Sequence, residues 1–435
     1  MGKTTFIAAG DIFITRRIPK EGYEGFDAIK ALIEQHDVKF ANLESTFHDR
    51  EGIPAATSGG TWAMSDPRML DDIQRYGFNI YNTANNHSGD YSHAGILATV
   101  KHLKARDMLF SGTGKDLGDA SKPCYLETKN ARVALISVCA DPEKSHTAGA
   151  QSADLPGRPG LNPLRCNRYY HLDQTHFDMV KALSDVTAIN SGTERLAALG
   201  YAMPFQEGTQ PFGSYRFVLD ETCFVESVPH RQDMERIEIE IREAKRQADV
   251  VLVSFHSHDR DGRDVTVPAQ YIETFAHRCI DAGATAILGH GPHELQGIEL
   301  YKGGVIFYSL GNYLFETETV EYQPWDAYVN RSMSLDTKVG AYMDERSKNG
   351  TAGYGILPEI WFSVLGGFTM EDGKVTQVQL YPISLGMELP RSQKGVPVLS
   401  GDEKVLAYLQ KLSAPYGTKI HIKDGVGTIQ VEGSL

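Results

Sequence analysis

The sequence predicts a layered α/β fold, because short β-like runs alternate with segments of helical spacing along most of the chain. The alternation occupies the first 140 residues and resumes at residue 233. Apolar residues make up 41% of the 435 residues and charged residues 23%, a composition typical of a globular protein with a sizeable core. The chain is long for a single domain, so we expect one elaborated α/β domain with additions.

Runs rich in β-branched and aromatic residues are predicted to be strands, and stretches with apolar residues three or four apart are predicted to be helices. The predicted strands are residues 6–9, 38–43, 78–82, 109–111, 132–138, 250–255, 285–288 and 305–310. The predicted helices are residues 25–35, 67–76 and 93–105, a surface helix at about 233–244, and one from Pro268 to Gly283 as its C′ residue.

Two long segments interrupt the alternation. Residues 141–232 are rich in Gly, Pro and polar residues, and residues 316–356 carry aromatic residues among polar ones. Segments of this length inside a compact domain are usually lids or binding loops. We therefore predict a main domain at residues 1–356 that contains both insertions. Residues 357–435, with strand-like runs and one helix, are predicted to form a C-terminal accessory layer of the same domain.

Charge and cysteine content restrict the partners and the compartment. The formal net charge of −13 argues against nucleic acid or an anionic membrane as the main partner. Five widely spaced cysteines without a Cys-x-x-Cys pattern indicate a reducing compartment. No window approaches eighteen apolar residues, so we expect a cytoplasmic protein with no membrane span. The sequence does not predict an oligomeric state.

Potential metal ligands follow several of the predicted strands. Open α/β sheets place their ligand sites beyond the carboxyl ends of the strands, where these residues are expected to meet. Carboxylate oxygens, one amide oxygen and several imidazoles suit a divalent ion such as Mn²⁺, Fe²⁺, Zn²⁺ or Ca²⁺. One or two ions are possible, with Glu44 able to bridge a pair. The candidate ligands are Asp11, Glu44, Asn86, His256, His290 and His293.

The same strand ends carry candidate acid/base residues. An imidazole beside a metal-bound amide can protonate a leaving group, so His87 is the candidate acid, and Asp90 three residues later can orient it. Asp11 and His256 are further candidates for a catalytic role. Each short motif, taken alone, has a plain structural alternative, since a strand-end aspartate is often a turn or cap residue. The coincidence of five strand ends favours a metal site.

Three further residues are candidates for contact with the substrate. His258 and Asp259 form a second possible His/Asp pair, directly after the predicted strand at residues 250–255. Arg16, five residues after Asp11, is a candidate to contact an anionic substrate. A solvated surface arginine is the structural alternative for Arg16.

In their order along the chain, these motifs resemble the CapA family, whose members are associated with bacterial poly-γ-glutamate capsule synthesis. The resemblance covers roughly residues 5–315. The matching stretches are Gly10-Asp11-x4-Arg16, Asn42-Leu43-Glu44, Asn85-Asn86-His87-x2-Asp90, residues 289–296 and residues 306–312. The CapA family is itself similar to the calcineurin-like metallophosphoesterases, which implies a four-layer α/β/β/α sandwich with a dinuclear metal centre.

That resemblance also implies roles for individual residues. The residues that match its metal ligands are Asp11, Glu44, Asn86, His256, His290 and His293, and His87 matches its acid. The pattern departs from the phosphoesterases at three points: Phe13 replaces a histidine, Glu44 replaces a bridging aspartate, and the last histidines are spaced His-x-x-His. The first metal therefore loses a ligand, so one ion or a weakly bound second ion is expected.

Four functions are compatible with these residues. The first is a metal-dependent enzyme that acts by hydrolysis or transfer on a peptide-like, γ-glutamyl or other carboxylate-bearing substrate. The second is a peptide epimerase of the type that acts on lasso-peptide precursors, which needs an acid/base group on each face of Cα. The third is a phosphoesterase, which rests on the fold alone. The fourth is a non-catalytic scaffold in capsule polymer assembly.

Overall fold

The computed structural model of the chain describes residues 2–140 and 142–431. Two large sheets and several smaller ones combine with helices in a mixed α/β fold, which confirms the α/β part of the prediction. The α-helices are Phe26–Glu34, Met69–Gln74, Ser92–Lys104, Leu117–Ser121, Gln174–Thr187, Ser191–Ala198, Arg231–Gln247, Gln270–Ala282, Trp325–Val329, Val339–Arg346 and Glu403–Ser413. Within these described ranges, no helix combines the length and the apolar character needed to cross a bilayer.

The first sheet has ten strands and is built around Thr4–Phe13. This strand pairs in parallel with Val38–Leu43 on one side and antiparallel with Phe362–Glu371 on the other. Across the sheet, the order is His421–Lys423, Val426–Gln430, Lys374–Ser384, Phe362–Glu371, Thr4–Phe13, Val38–Leu43, Ile80–Asn82 and Phe110–Ser111. Asn312–Phe315 also pairs with Thr4–Phe13, and Val398–Leu399 pairs with Lys374–Ser384.

The second sheet has seven strands, and its central four are parallel. Its order is Pro163–Leu164, Arg132–Ala140, Val250–His256, Ala286–His290, Gly304–Phe307 and Ile298–Tyr301, with Cys124–Glu127 also paired to Arg132–Ala140. Val250–His256 and Ala286–His290 are buried along their whole length, as expected for strands covered on both faces.

Apolar clusters pack the sheets and helices together. Side chains alternate along a strand, so Phe6 and Ala8 enter a cluster that contains strands of both sheets, whereas Ile7 and Ala9 enter a second cluster. That second cluster joins the first sheet to helices Phe26–Glu34 and Met69–Gln74. A third cluster joins the second sheet to helices Arg231–Gln247 and Gln270–Ala282.

The two segments that interrupt the alternation have structure of their own. The first contains a four-stranded sheet of Thr209–Phe212, Tyr215–Leu219, Cys166–Leu172 and Phe224–Pro229. Residues 316–356 contain short helices, ending in the 3₁₀ turn Gly353–Ile356. Further two-stranded pairs are Thr46–Phe47 with Met64–Ser65 and Thr113–Gly114 with Gly160–Leu161. The predicted domain limits at residues 1, 141 and 435 lie outside the described residues.

Most predicted elements are confirmed to within a few residues. The helix predicted to stop at Gly283 is Gln270–Ala282, and Gly283 takes the left-handed conformation with φ 117°. One strand prediction was too long: residues 305–310 form Gly304–Phe307 only. The chain leaves the sheet there because it turns to bring Gly311 against the first strand, where Asp11 N–H donates to Gly311 O (3.0 Å).

Gly10 permits this close approach. A Cβ atom built on Gly10 would lie 1.8 Å from the carbonyl oxygen of Gly311, far inside van der Waals contact. The same oxygen accepts the hydrogen bond from Asp11, so a side chain at position 10 displaces the backbone that carries Asp11. The glycine is therefore a requirement of the buried packing at this strand end.

We expect Gly10→Ala to lower the free energy of unfolding by about 2–3 kcal/mol, because the added methyl group forces two buried backbone segments apart. Gly192→Ala is the matched control: a Cβ atom there meets nothing within 4 Å, and alanine in a helix is about 0.5–1 kcal/mol more stable than glycine. Urea denaturation of both variants measures the difference. Equal losses in the two variants would contradict the close approach.

Candidate metal centre

Strand register brings the predicted ligands to one end of each sheet. In the first sheet, Asp11 pairs with Asn42 and Asn42 pairs with Asn82 across neighbouring parallel strands. In the second sheet, His256 pairs with His290 in the same way. These residues occupy or adjoin the carboxyl ends of their strands, where open α/β sheets place ligand sites. The two sheets meet here: Oδ1 of Asp11, in the first sheet, lies 3.7 Å from Nδ1 of His256 and 3.5 Å from Nδ1 of His290, both in the second sheet.

Asp11 is fully buried and fully hydrogen-bonded. Its Oδ1 accepts from Asn42 Nδ2 (2.6 Å) and its Oδ2 accepts from Gly291 N–H (3.1 Å). Nδ1 of His290 and Nδ1 of His293 each lie 3.5 Å from the carboxylate. Burial alone would raise the pKa of Asp11, but the contact with His293 and the hydrogen bond from Asn42 act against it, and the pKa is lowered from its ordinary value. Asp11 is therefore held as a carboxylate.

Glu44 is equally buried but has the opposite environment. Neither of its carboxylate oxygens has a hydrogen-bond partner among the described residues. Its Oε1 lies 3.6 Å from Nε2 of His256 and 3.8 Å from Nε2 of His293. Burial, followed by the charges of Asp11 and Asp90, raises the pKa of Glu44 well above its ordinary value. A buried carboxylate without partners is costly, unless a cation or a proton neutralises it.

The buried His256 and His290 and the exposed His258 form a row of close imidazoles. Nδ1 of His256 lies 3.0 Å from Nδ1 of His290, and Nε2 of His256 lies 3.2 Å from Nε2 of His258. At the end of the row, Nε2 of His290 lies 2.7 Å from Ser254 Oγ. Burial lowers the pKa of His256 well below its ordinary value and that of His290 to about 4. Both imidazoles are neutral at neutral pH, so no proton competes with a cation for them.

Three overlapping groups could hold a metal ion at this place. Within each group, all ligand atoms lie within 4.8 Å of one another. The groups are Asp11 with Glu44 and His293, Glu44 with His256 and His258, and Asp11 with His256 and His290. The first two share Glu44, which fits the predicted bridging role. Nitrogen and carboxylate ligands in these numbers suit borderline divalent ions such as Mn²⁺, Fe²⁺ and Zn²⁺.

Asn86 and His87 adjoin these groups. Oδ1 of Asn86 is buried without a hydrogen-bond partner among the described residues, while its amide nitrogen donates to Gly59 O (3.0 Å). Nδ1 of His87 lies 2.7 Å from Asp90 Oδ2. Asp90 is fixed in turn by backbone N–H groups of Gly59 (3.0 Å) and Ala63 (2.7 Å). The structure therefore provides the oriented His/Asp pair that the sequence predicts.

Phe13, which replaces a histidine of the phosphoesterase pattern, has a packing role. Its side chain is buried, and its ring meets the ring of His87 edge-on at 5.4 Å between centroids. This contact restricts the imidazole of His87 on a side that Asp90 does not reach. Phe13 is not a metal ligand, but its ring supports the imidazole of His87, the candidate acid.

Two predicted substrate contacts are engaged elsewhere. The Arg16 guanidinium binds the buried carboxylate of Glu316 (2.7 Å) and the carbonyl oxygens of Arg391 (3.2 Å) and Lys394 (2.6 Å). Asp259 accepts from the Tyr271 hydroxyl and lies 2.6 Å from Nη2 of Arg168. The structure thus joins His258 to the metal groups, and it places Arg16 against the segment after residue 315.

Several site residues were not predicted from the sequence. Three asparagines form a hydrogen-bonded network. Nδ2 of Asn82 and Nδ2 of Asn85 donate to Oδ1 of Asn42, and this orients Nδ2 of Asn42 to donate to Asp11. A cleft of about 200 Å³ beside the ligands is lined by Asn86, His256, His258 and Asp259, and also by His146. Asn42 could have been found from the sequence, because it belongs to the Asn42-Leu43-Glu44 motif. His146 follows no periodic pattern, so nothing in the sequence marked it.

The lowered pKa of His290 makes the stability of the metal-free protein depend on pH. The folded state keeps this imidazole neutral down to about pH 4, whereas an unfolded chain protonates it near pH 6.5. Because the unfolded state gains the extra proton, stability is lost as the pH falls through this window. Between pH 7 and pH 4 we expect the wild type to lose about 3 kcal/mol more than His290→Gln.

Urea unfolding in the presence of a chelator measures this difference. His421→Gln is the control, since this side chain is exposed, and it should follow the wild-type pH profile. Parallel profiles for the wild type and His290→Gln would contradict the buried, neutral state of His290.

Comparison with known proteins places the chain in a family. Residues 5–317 match the family model described as bacterial capsule synthesis protein PGA_cap. The chain belongs to this family. The matched range contains every candidate ligand from Asp11 to His293, and it confirms the resemblance to CapA proteins. Two uncharacterized proteins of Sinorhizobium fredii, y4sH and y4uA, are each 31% identical over 98% of this chain and 93% of their own.

Two shorter matches are to proteins named for capsule biosynthesis and PGA biosynthesis. The capsule biosynthesis protein CapA of Bacillus anthracis is 26% identical over 56% of this chain and 42% of its own length. The PGA biosynthesis protein CapA of Bacillus subtilis is 37% identical over 27% of each chain. The protein is thus a CapA-like member of the capsule synthesis family.

Proposed function

We propose that this protein is a metal-dependent enzyme that performs acid/base chemistry, by hydrolysis or transfer, on a peptide-like, carboxylate-bearing substrate. The observation that carries the proposal is Glu44, a buried carboxylate without a hydrogen-bond partner among the described residues, which faces the neutral imidazole of His256. A divalent cation is the partner that this environment suits. The substrate class is taken from the capsule and PGA biosynthesis names of the Bacillus relatives.

We also propose that the chain has the α/β/β/α layer order of the calcineurin-like metallophosphoesterases. Support comes from the three apolar clusters: one contains strands of both sheets, and each of the other two joins one sheet to helices. The main domain would then be residues 1–356 with insertions at 141–232 and 316–356. Residues 357–435 would complete the same domain through the strand Phe362–Glu371, which pairs with Thr4–Phe13.

The donor set divides into two ligand groups about Glu44. Asp11 and His293 would hold one ion with Glu44, and His256, His258 and the buried Oδ1 of Asn86 would complete a second group. The numbers of nitrogen and oxygen donors in the two groups suit Mn²⁺, Fe²⁺ or Zn²⁺. When bound, the cation supplies Lewis-acid polarisation of a substrate carbonyl.

His87 is the proposed acid/base residue. Because Asp90 bonds Nδ1, the neutral imidazole carries its proton there, and Nε2 is the atom that accepts and returns a proton. The backbone contacts to Asp90 and the edge contact from Phe13 keep the imidazole in one orientation. A fixed base of this kind contributes to the rate by removing the cost of orienting it.

Epimerisation at Cα is the second candidate, because acid/base groups reach the site from both sheets. His87 follows the first sheet, and His258 follows the strand Val250–His256 of the second. Removal of a proton from one face and its return to the other requires two such groups. The two reactions differ in products, so one assay distinguishes them.

Elemental analysis tests the metal. Purified without chelator, the wild type should contain about one to two equivalents of Mn, Fe or Zn, because Glu44 and the neutral imidazoles are ready ligands. His293→Ala should lose at least one equivalent. His277→Ala, which removes an imidazole paired with Glu299, is the control and should retain the metal. A wild type that takes up no metal under supplementation overturns the proposal.

His87→Ala should lower the rate on a γ-linked glutamyl peptide by about 10²–10⁴-fold, because the proton transfer loses its fixed base. The reaction is run in D₂O and followed by mass spectrometry and chiral analysis. Hydrolysis gives shorter peptides, whereas epimerisation gives the full-length peptide with one deuterium at an inverted Cα. His421→Ala is the control. A His87→Ala variant as active as the wild type would remove His87 from the mechanism.

A further inference from the structure

Helix Val339–Arg346 ends in an arginine without a counter-ion. Within residues 2–140 and 142–431, no hydrogen bond or ion pair involves the Arg346 guanidinium. The side chain is only partly exposed, and burial is the main cause that lowers its pKa. Arginine is seldom withdrawn from water without a partner, since the charge then loses hydration without compensation.

The carboxylates near Arg346 are committed to other cations. Glu318 accepts from Lys394 Nζ (2.8 Å) and Arg391 Nε (3.3 Å). Asp344 accepts from Nη2 of the same Arg391 (2.6 Å). Glu318 and Asp344 are thus already paired with cations other than Arg346. An unpaired guanidinium at the edge of a cleft favours an anion from outside the chain.

Arg346 faces a cleft that adjoins the metal centre. The cleft holds about 190 Å³, and its lining includes Arg346, Tyr354 and Glu318, whose carboxylate is already paired with Lys394 and Arg391. The ring of Tyr354 lies 5.4 Å from the ring of His293, a candidate metal ligand. Tyr354 thus lies between this cleft and the candidate metal centre. A substrate that extends past Tyr354 would present one group to the cation site and another to Arg346.

We propose that Arg346 and Tyr354 form a subsite that binds a carboxylate of the substrate next to the metal centre. The planar guanidinium offers paired N–H donors that match the two oxygens of a carboxylate, and the Tyr354 hydroxyl is a further donor. A cleft of this size accepts a carboxylate with a short alkyl stem, as on a glutamyl side chain or a chain terminus. The peptide-like nature of the ligand rests on the proposed function.

Isothermal titration calorimetry of the metal-loaded protein tests the subsite. Three probes separate the possible sources of the carboxylate: a γ-linked triglutamate, the same peptide with its carboxyl groups amidated, and glutarate as a free dicarboxylate. We expect the triglutamate to bind and the amide to bind at least about 10-fold more weakly, since a charge-assisted hydrogen bond is lost. Tight binding of glutarate alone would assign the subsite to free dicarboxylates and overturn the peptide proposal.

Arg346→Gln should weaken triglutamate binding about 10- to 100-fold. Arg346→Lys should recover part of the lost affinity, because lysine restores the positive charge but not the paired N–H donors of the guanidinium. Arg331→Gln is the matched control, because Arg331 is exposed and stacks on Tyr342, which lies on the same helix as Arg346. Thermal melts check folding. If Arg346→Gln does not fold, the Arg346→Lys measurement against the wild type decides.

Elemental analysis of the same samples separates this proposal from the previous one. Wild-type affinity in Arg346→Gln with metal retained, or a wild type that binds none of the probes, overturns the subsite. A wild type without metal that still binds triglutamate through Arg346 overturns the metal-dependent function and leaves the subsite standing.

Discussion

The burial of Glu44 without hydrogen bonds is the constraint on which the site depends. Asp11, one strand away, has both oxygens satisfied by Asn42 and by the backbone of Gly291. Neither carboxylate oxygen of Glu44 has a hydrogen-bond partner among the described residues, although Glu44 is as completely buried as Asp11. An ionised carboxylate in this position costs several kcal/mol unless it is neutralised. Burial lowers the pKa of the neighbouring His256, so this imidazole offers a lone pair and no positive charge. The arrangement has the character of a cation site.

The fold maintains this arrangement through close backbone contacts. Gly10 admits the carbonyl of Gly311, which fixes the backbone of Asp11. Gly291, at φ 121°, admits the backbone of Ser257, which joins the ends of two strands of the second sheet. Such contacts exclude side chains, so the ligands that flank them are held by rigid strand ends. A site of this kind keeps its geometry before a substrate arrives.

Periodicity was sufficient to predict the central strands and helices, because each is a continuous segment with its own apolar pattern. The rule that ligands gather at strand ends then selected Glu44 and His256, among others. It could not predict the partner of Arg16, since Glu316 is three hundred residues away in sequence. Nor could it predict that Phe362–Glu371 pairs with the first strand, because pairing between distant strands leaves no local trace.

Zinc-soaked crystals of the protein provide the most direct test, through the anomalous scattering of the ion. We expect an anomalous peak within about 2.0–2.2 Å of a Glu44 carboxylate oxygen, with at least one ligand nitrogen from His256, His258 or His293. In crystals of Glu44→Gln, the peak should weaken or vanish. A peak that lies away from Glu44, or a metal-free site in which Glu44 is a protonated, hydrogen-bonded acid, would show that Glu44 is not a metal ligand.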